Sequence, residues 1–236
     1  MPPLPQISRR LVFVQALLGI GASLAIALPF LRRTHGLQHL RPDQRYLFIC
    51  NHVSLLDTIL LGAIFWLSDN YPMLTLGDKN IWHASRTRRW LSQPTSFLLE
   101  RGKLNPGKVR ELQAFARAAK DFNLLVFPEG TRGNGVQVAA CQPGIYFIAQ
   151  AACVPIVPIF IENMQLVSTK HGKFDLFGGF RKVEVHFGEP IAPKKFLDLS
   201  REEFLEFARQ KIATAKALPS TAAIPARIAN QTAPLS

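Results

Sequence analysis

The chain has 236 residues, 48% of them hydrophobic, and carries 28 Lys and Arg against 16 Asp and Glu, a formal charge of +12. That length suits one α/β catalytic domain with an added membrane element, and the charge calls for an anionic partner, be it nucleic acid, a membrane surface or an acidic protein. Cys50, Cys141 and Cys153 form an odd set without metal-like spacing; they suit a reducing compartment and read as packing residues beside apolar neighbours.

Residues 11–31 hold no formal charge and only Gln15 and Ser23 as polar side chains, between Arg9-Arg10 and Arg32-Arg33. About 20 apolar residues suffice to cross a bilayer. Pro29 and the glycines at 19 and 21 interrupt a straight span, so crossing and lying flat in one leaflet both stay open. Ala25-Ile26-Ala27 also imitates a signal-peptidase site, whose use would export the chain. Arg32, Arg33, Arg41 and Arg45 outnumber Arg9 and Arg10, which puts the following domain on the cytoplasmic side of the membrane. The expected organisation is a membrane-anchoring segment over 1–45, a catalytic domain over 46–216 and a tail over 217–236. That tail is rich in Pro, Ala, Thr and Ser and is expected to be disordered.

Short apolar or β-rich runs bounded by turn residues predict strands at Tyr46–Cys50, Met73–Leu76, Ser96–Glu100, Leu124–Phe127, Ile156–Ile161 and Lys182–Phe187. Asn105-Pro106 starts a helix whose packed face carries Val109, Leu112, Ala116 and Ala119. Ser200-Arg201-Glu202-Glu203 is a capping box before Phe204, Phe207, Ala208 and Ile212. The fold class is α/β: a single mixed β-sheet flanked by helices, preceded by an N-terminal hydrophobic membrane helix.

Two motifs carry the chemistry. Asn51-His52-Val53-Ser54-Leu55-Leu56-Asp57 offers an imidazole and, five positions on, a carboxylate able to fix its tautomer, the arrangement for taking a proton from a hydroxyl. Ser54 to Asp57 is also a capping-box pattern, and the two readings are compatible if a helix begins there. Phe127-Pro128-Glu129-Gly130-Thr131-Arg132 leaves a strand at its carboxyl end, where α/β sheets place ligands. Gly130 lets the backbone approach a ligand, Thr131 brings a hydroxyl and Arg132 a planar fork for phosphate oxygens. The plain alternative is a turn in which Glu129 and Arg132 pair. Arg101 after the Phe97–Glu100 run, and more weakly Lys79, are further cations for the same anion.

His52 and Asp57 followed by an intact Phe-Pro-Glu-Gly-Thr-Arg resemble the glycerolipid acyltransferase family, whose bacterial members make phosphatidic acid. Phe97 to Arg101 and Val154-Pro155-Ile156-Val157-Pro158 are similar to further elements of that family, and the resemblance covers about residues 46 to 190. Thr95 stands where the family usually has glycine and Gln142 where lysine is common, departures that bear on the acceptor. The resemblance implies transfer of an acyl group from acyl-CoA or acyl carrier protein to the 2-hydroxyl of 1-acyl-glycerol-3-phosphate (lysophosphatidic acid). His52 is then the base, Asp57 its partner, and Arg101, Glu129, Gly130, Thr131, Arg132 and Lys79 the acceptor-holding residues. No metal or cofactor is implied beyond the acyl thioester co-substrate. Another lyso-lipid, such as a lyso-ornithine lipid or a lysophospholipid, is the alternative acceptor; an inactive membrane scaffold is the remaining reading.

Gly102 to Val109 nearly spells a phosphate-binding P-loop, but Val109 stands where a hydroxyl must hold magnesium, and its lysines are expected in water. His35 and His39 suggest a metal pair that lacks a third ligand. Trp82, Arg86 and Trp90 share a helical face suited to lipid headgroups. Those residues also suit single-stranded nucleic acid, but no nucleic-acid motif accompanies them.

Overall fold

In the computed structural model the described residues are 21 and 28–216, apart from 71, 84–85, 87–95, 101, 103, 169–174 and 176. Leu47, Phe48, Ile49 and Cys50 are all fully buried, as expected of a strand covered on both faces. They form β2 (Leu47–Cys50), the middle of a seven-stranded sheet with β1 (Leu31–His35), β3 (Met73–Asp78), β4 (Ser96–Leu99), β5 (Asn123–Val126), β6 (Ile156–Glu162) and β7 (Val183–Phe187). The strand order is β1-β7-β6-β2-β5-β3-β4. The five strands from β6 to β4 are mutually parallel; β7 runs antiparallel to β6, and β1 runs parallel to β7.

The two-residue period of a strand separates two cores. Leu47 and Ile49 face one with Leu112, Phe115, Ile145, Ile148, Phe204 and Ile212, supplied by α3 (Pro106–Ala116), α4 (Gly144–Ala152) and α5 (Arg201–Ala215). Tyr46, Phe48 and Cys50 face the other with Leu60, Leu61, Ile64 and Phe65 of α1 (Leu56–Leu67). A one-turn helix, α2 (Lys79–Trp82), follows β3. The Asn105 side chain accepts from Lys108 N at 2.8 Å to start α3, and Ser200 and Glu203 close a complete capping box on α5.

All six expected strands are present, and the sheet is mixed with helices on both faces. The domain, however, begins earlier than residue 46. Leu31–His35, expected as the end of the apolar run and its basic flank, pairs in register with β7 from Leu31↔Val183 to His35↔His186. Backbone pairing and the burial of Thr34 and His35 outweigh the two exposed arginines. Among the described residues no helix is long and apolar enough to cross a membrane; residues 11–20, 22–27, 217–236 and Trp90 lie outside them. Cys50 and Cys141 are packing residues, but Cys153 is exposed and holds φ 50° at the end of α4. Lys108, expected in water, folds back instead to donate to Glu100 O at 2.5 Å and to pair with Glu111 at 3.1 Å.

Candidate active site

β2 ends at Cys50, and the chain turns at its carboxyl end through Asn51 to Ser54 into α1. Asn51 anchors the turn: its Nδ2 donates to Ile161 O at 3.0 Å and its Oδ1 accepts from Ile161 N at 2.7 Å. Two bonds to β6 hold the residue before His52 to the neighbouring strand.

His52 Nδ1 lies 2.9 Å from Asp57 Oδ2, the Asp57 side chain being fully buried and that of His52 17% exposed. The same oxygen accepts from Val53 N at 2.6 Å and Ser54 N at 2.9 Å. Because an ionised carboxyl oxygen only accepts, this contact selects the tautomer of the neutral ring that carries its proton on Nδ1 and its lone pair on Nε2. Among the described residues Nε2 has no hydrogen-bond partner. The Phe127 ring stacks on the imidazole at 4.2 Å between centroids, so the ring is fixed in two directions. Ser54 Oγ accepts from Leu56 N at 3.2 Å, and only the Asp57 half of a capping box is formed.

The loop after β5 is clamped to His52 through its main chain. His52 N donates to Glu129 Oε1 at 2.9 Å, Gly133 N donates to His52 O at 2.7 Å, and Glu129 Oε2 accepts from Ala139 N at 3.0 Å. Glu129 is 2% exposed, with both oxygens taken by backbone donors. It was expected to hold the acceptor; in this geometry it is a brace that joins two loops, and it does not pair with Arg132. Gly130 holds φ 64°, and a Cβ there would lie 2.8 Å from Gln142 Cγ, so both conformation and space call for glycine.

His52 and Gly130 open on a cavity of about 200 Å³ shared with Leu55, Leu76, Trp82, Leu99 and Phe127. Thr131 is exposed and Arg132 half-buried, and neither has a polar partner among the described residues. Lys79 pairs with Glu100 at 2.8 Å, at the rim of the same cavity. Arg101 lies outside the described residues. Trp82, read as a lipid-facing residue, instead lines the cavity, with its indole against Gly77. Leu76, Leu99 and Phe127 are cavity walls that no motif marks as such; Leu99 ends β4, Phe127 follows β5 and Leu76 lies two residues before the end of β3, and this position at the carboxyl ends of the strands is the one signal that points to them.

His35 and His39 do not pair. His35 stacks on His186 with ring centroids 4.4 Å apart, and His35, Glu184 and His186 offer donor atoms within 4.8 Å of one another. The Nε2 atoms of His35 and His186 are already engaged by Glu184 at 2.7 Å and Glu162 at 3.2 Å, so the group is a ladder of hydrogen bonds as it stands.

A strand-end imidazole oriented by a buried carboxylate, with an apolar cavity beside it, is the equipment of a hydroxyl-activating transferase. The family model described as Acyltransferase matches residues 32–162, more than half of the sequence, and the chain belongs to that family. It is 30% identical over 135 residues to 1-acyl-sn-glycerol-3-phosphate acyltransferase of Saccharomyces cerevisiae, covering 55% of this chain and 43% of that protein. It is likewise 30% identical over 141 residues to lyso-ornithine lipid O-acyltransferase of Pseudomonas aeruginosa, covering 60% of this chain and 51% of that protein. The matches therefore span about half the length of these relatives. The fold is similar to that of the 1-acyl-sn-glycerophosphate acyltransferase of Thermotoga maritima, with a TM-score of 0.60 over 88% of this chain and 79% of that one at 19% identity.

Proposed function

We propose that the protein transfers an acyl group from an acyl thioester, acyl-CoA or acyl carrier protein, to the sn-2 hydroxyl of 1-acyl-glycerol-3-phosphate. The product is phosphatidic acid, made for phospholipid biosynthesis at the cytoplasmic face of a membrane. The observation that carries this reading is His52, held through Nδ1 by Asp57 while its Nε2 is left free beside an apolar cavity.

In this mechanism Nε2 removes the hydroxyl proton as the oxygen attacks the thioester carbonyl. Asp57 stabilises the imidazolium that forms. Collapse of the tetrahedral intermediate breaks the C–S bond, and the proton passes from His52 to the departing sulfur. Base assistance of this kind is typically worth about 10² to 10⁴ in rate. Thr131, Arg132, Arg101 and Lys79 hold the phosphate, Gly130 leaves it room, and the cavity walls receive acyl chain. Glu129 contributes by fixing the loop that carries Arg132. No cofactor or metal is needed beyond the acyl thioester.

A lyso-ornithine lipid is the second acceptor, favoured by the Pseudomonas aeruginosa relative and by Gln142, an uncharged side chain packed against Gly130. Purified protein presented with labelled acyl-CoA and a panel of lysophosphatidic acid, lyso-ornithine lipid and lysophosphatidylcholine separates the readings. The phosphate-bearing acceptor is expected to show the highest kcat/KM. A preference for lyso-ornithine lipid would replace the acceptor, and inertness toward all three would remove the proposal.

A further inference from the structure

The large apolar side chains left exposed are concentrated on one edge of the sheet. Of the seven among the described residues, Leu55, Leu104, Val136 and Leu166 lie in connections that leave parallel strands at their carboxyl ends. Phe177 and Phe180 lie in the turn that feeds β7; since β7 is antiparallel to β6, that turn is at the same edge. Only Trp66, near the far end of α1, lies at the opposite edge. Scattered exposed apolar residues need no explanation, but this distribution does.

The turn is the most pronounced part of the edge. Phe177 is 92% exposed and Phe180 55%. Asp175 Oδ1 accepts from Phe177 N at 3.0 Å and Gly178 N at 2.7 Å, and Gly179 packs against Val167 so closely that a Cβ would lie 2.4 Å from its Cγ2. The backbone is thus fixed to the body of the molecule while both rings face outward. Arg181 and Lys182 follow and are exposed, and Arg32 on the adjacent β1 has a side chain 64% exposed, its Nη1 paired with Glu184 at 3.1 Å and the rest of the guanidinium facing outward. Arg181 N donates to Pro29 O at 3.0 Å, which ties the turn to the end of the apolar run 11–31. β1 starts at this edge too, as its Leu31↔Val183 pairing requires.

We propose that the carboxyl edge of the sheet lies on an anionic bilayer, with Phe177 and Phe180 entering the headgroup boundary and Arg32, Arg181 and Lys182 meeting lipid phosphates. Aromatic rings beside cations are what that boundary favours. The apolar tips come from separate connections, and the cations and the adjoining apolar run both match lipid. His52 and the Pro128 to Gly133 loop share the edge, so contact would bring the cavity to its lipid substrate without extraction into water. The inference extends the proposed function but does not depend on which lipid is acylated.

The test uses full-length Cys153→Gly protein, which removes the exposed thiol and leaves Cys50 and Cys141 buried. A polarity-sensitive fluorophore is attached at Phe177→Cys, or at Trp66→Cys as the opposite-edge control. With phosphatidylcholine vesicles containing phosphatidylglycerol, the label at 177 is expected to shift to the blue and lose most of its iodide quenching, while the label at 66 does not change. Adding Arg181→Gln and Lys182→Gln should weaken that protection by about fivefold per lost charge, from ~1 kcal/mol for each basic residue near anionic lipid. A label at 177 as open to iodide as the label at 66, on protein that sediments with the vesicles, would overturn the proposal and leave the apolar run as the sole contact. Protection at 177 without vesicles would overturn it in favour of self-association. Neither readout needs turnover, so failure here is distinguishable from failure of the acyl-transfer reading.

Discussion

Asp57 Oδ2 gathers three donors, the His52 ring and the amides of Val53 and Ser54. The sequence offers a catalytic carboxylate and a helix cap as competing readings; because α1 begins at Leu56, the one oxygen orients the imidazole and holds the turn that leads into the helix. Glu129 was less legible, since its partners are main-chain amides of His52 and Ala139, which no side-chain pattern reveals. Glu129→Ala should leave both amides unpaired and cost about 1–3 kcal/mol in urea unfolding. Movement of His52 should lower kcat more than it raises KM, and unchanged stability and kcat would contradict the brace. Arg132→Ala should instead raise KM for a phosphate-bearing acceptor by about 10- to 100-fold with kcat little changed, from the loss of a charge-assisted hydrogen bond. Steady-state kinetics against acceptor concentration would check it. His186 sits below the ordinary histidine value of 6.5 because burial disfavours its charged form, with His35 against it adding to the effect. Glu162 and Glu184 oppose that shift from the same face, and Lys216 pairs with Glu162. A proton therefore prefers the unfolded chain, and stability from this group is lost as pH falls below 6.5. Urea midpoints of His186→Gln should fall less steeply than wild type across that window; identical slopes would refute the assignment.

Elements with a strong local signature were legible. The capping box at Ser200 and the Asn105-Pro106 start both form, and Ser200→Ala should cost about 1 kcal/mol of stability, read as a lower urea midpoint. Strands buried on both faces announced themselves as apolar runs. β1 did not, because LRRTH at a sheet edge has no alternation and earns its place only by pairing with β7. α4 was also missed, being nine residues of nearly uniform apolar character between Gly144 and Ala152, without a side-chain cap. Strand order is invisible in the runs themselves, since it depends on which backbones pair across long separations.

At the scale of the whole molecule, the sheet sets its carboxyl edge as the working side. Ends of β2 and β5 bring His52 and the Gly130 loop together although 77 residues separate His52 from Glu129 in the sequence. The motif pair alone marks that edge, whereas the sharing of the edge by exposed phenylalanines and by the start of β1 follows only from the register. The central claim is that His52 is the base. Transfer of labelled acyl groups from acyl-CoA to 1-acyl-glycerol-3-phosphate should fall by at least about 10² in His52→Ala, with the urea unfolding midpoint held close to wild type. A folded His52→Ala protein that retains wild-type transfer would contradict the account.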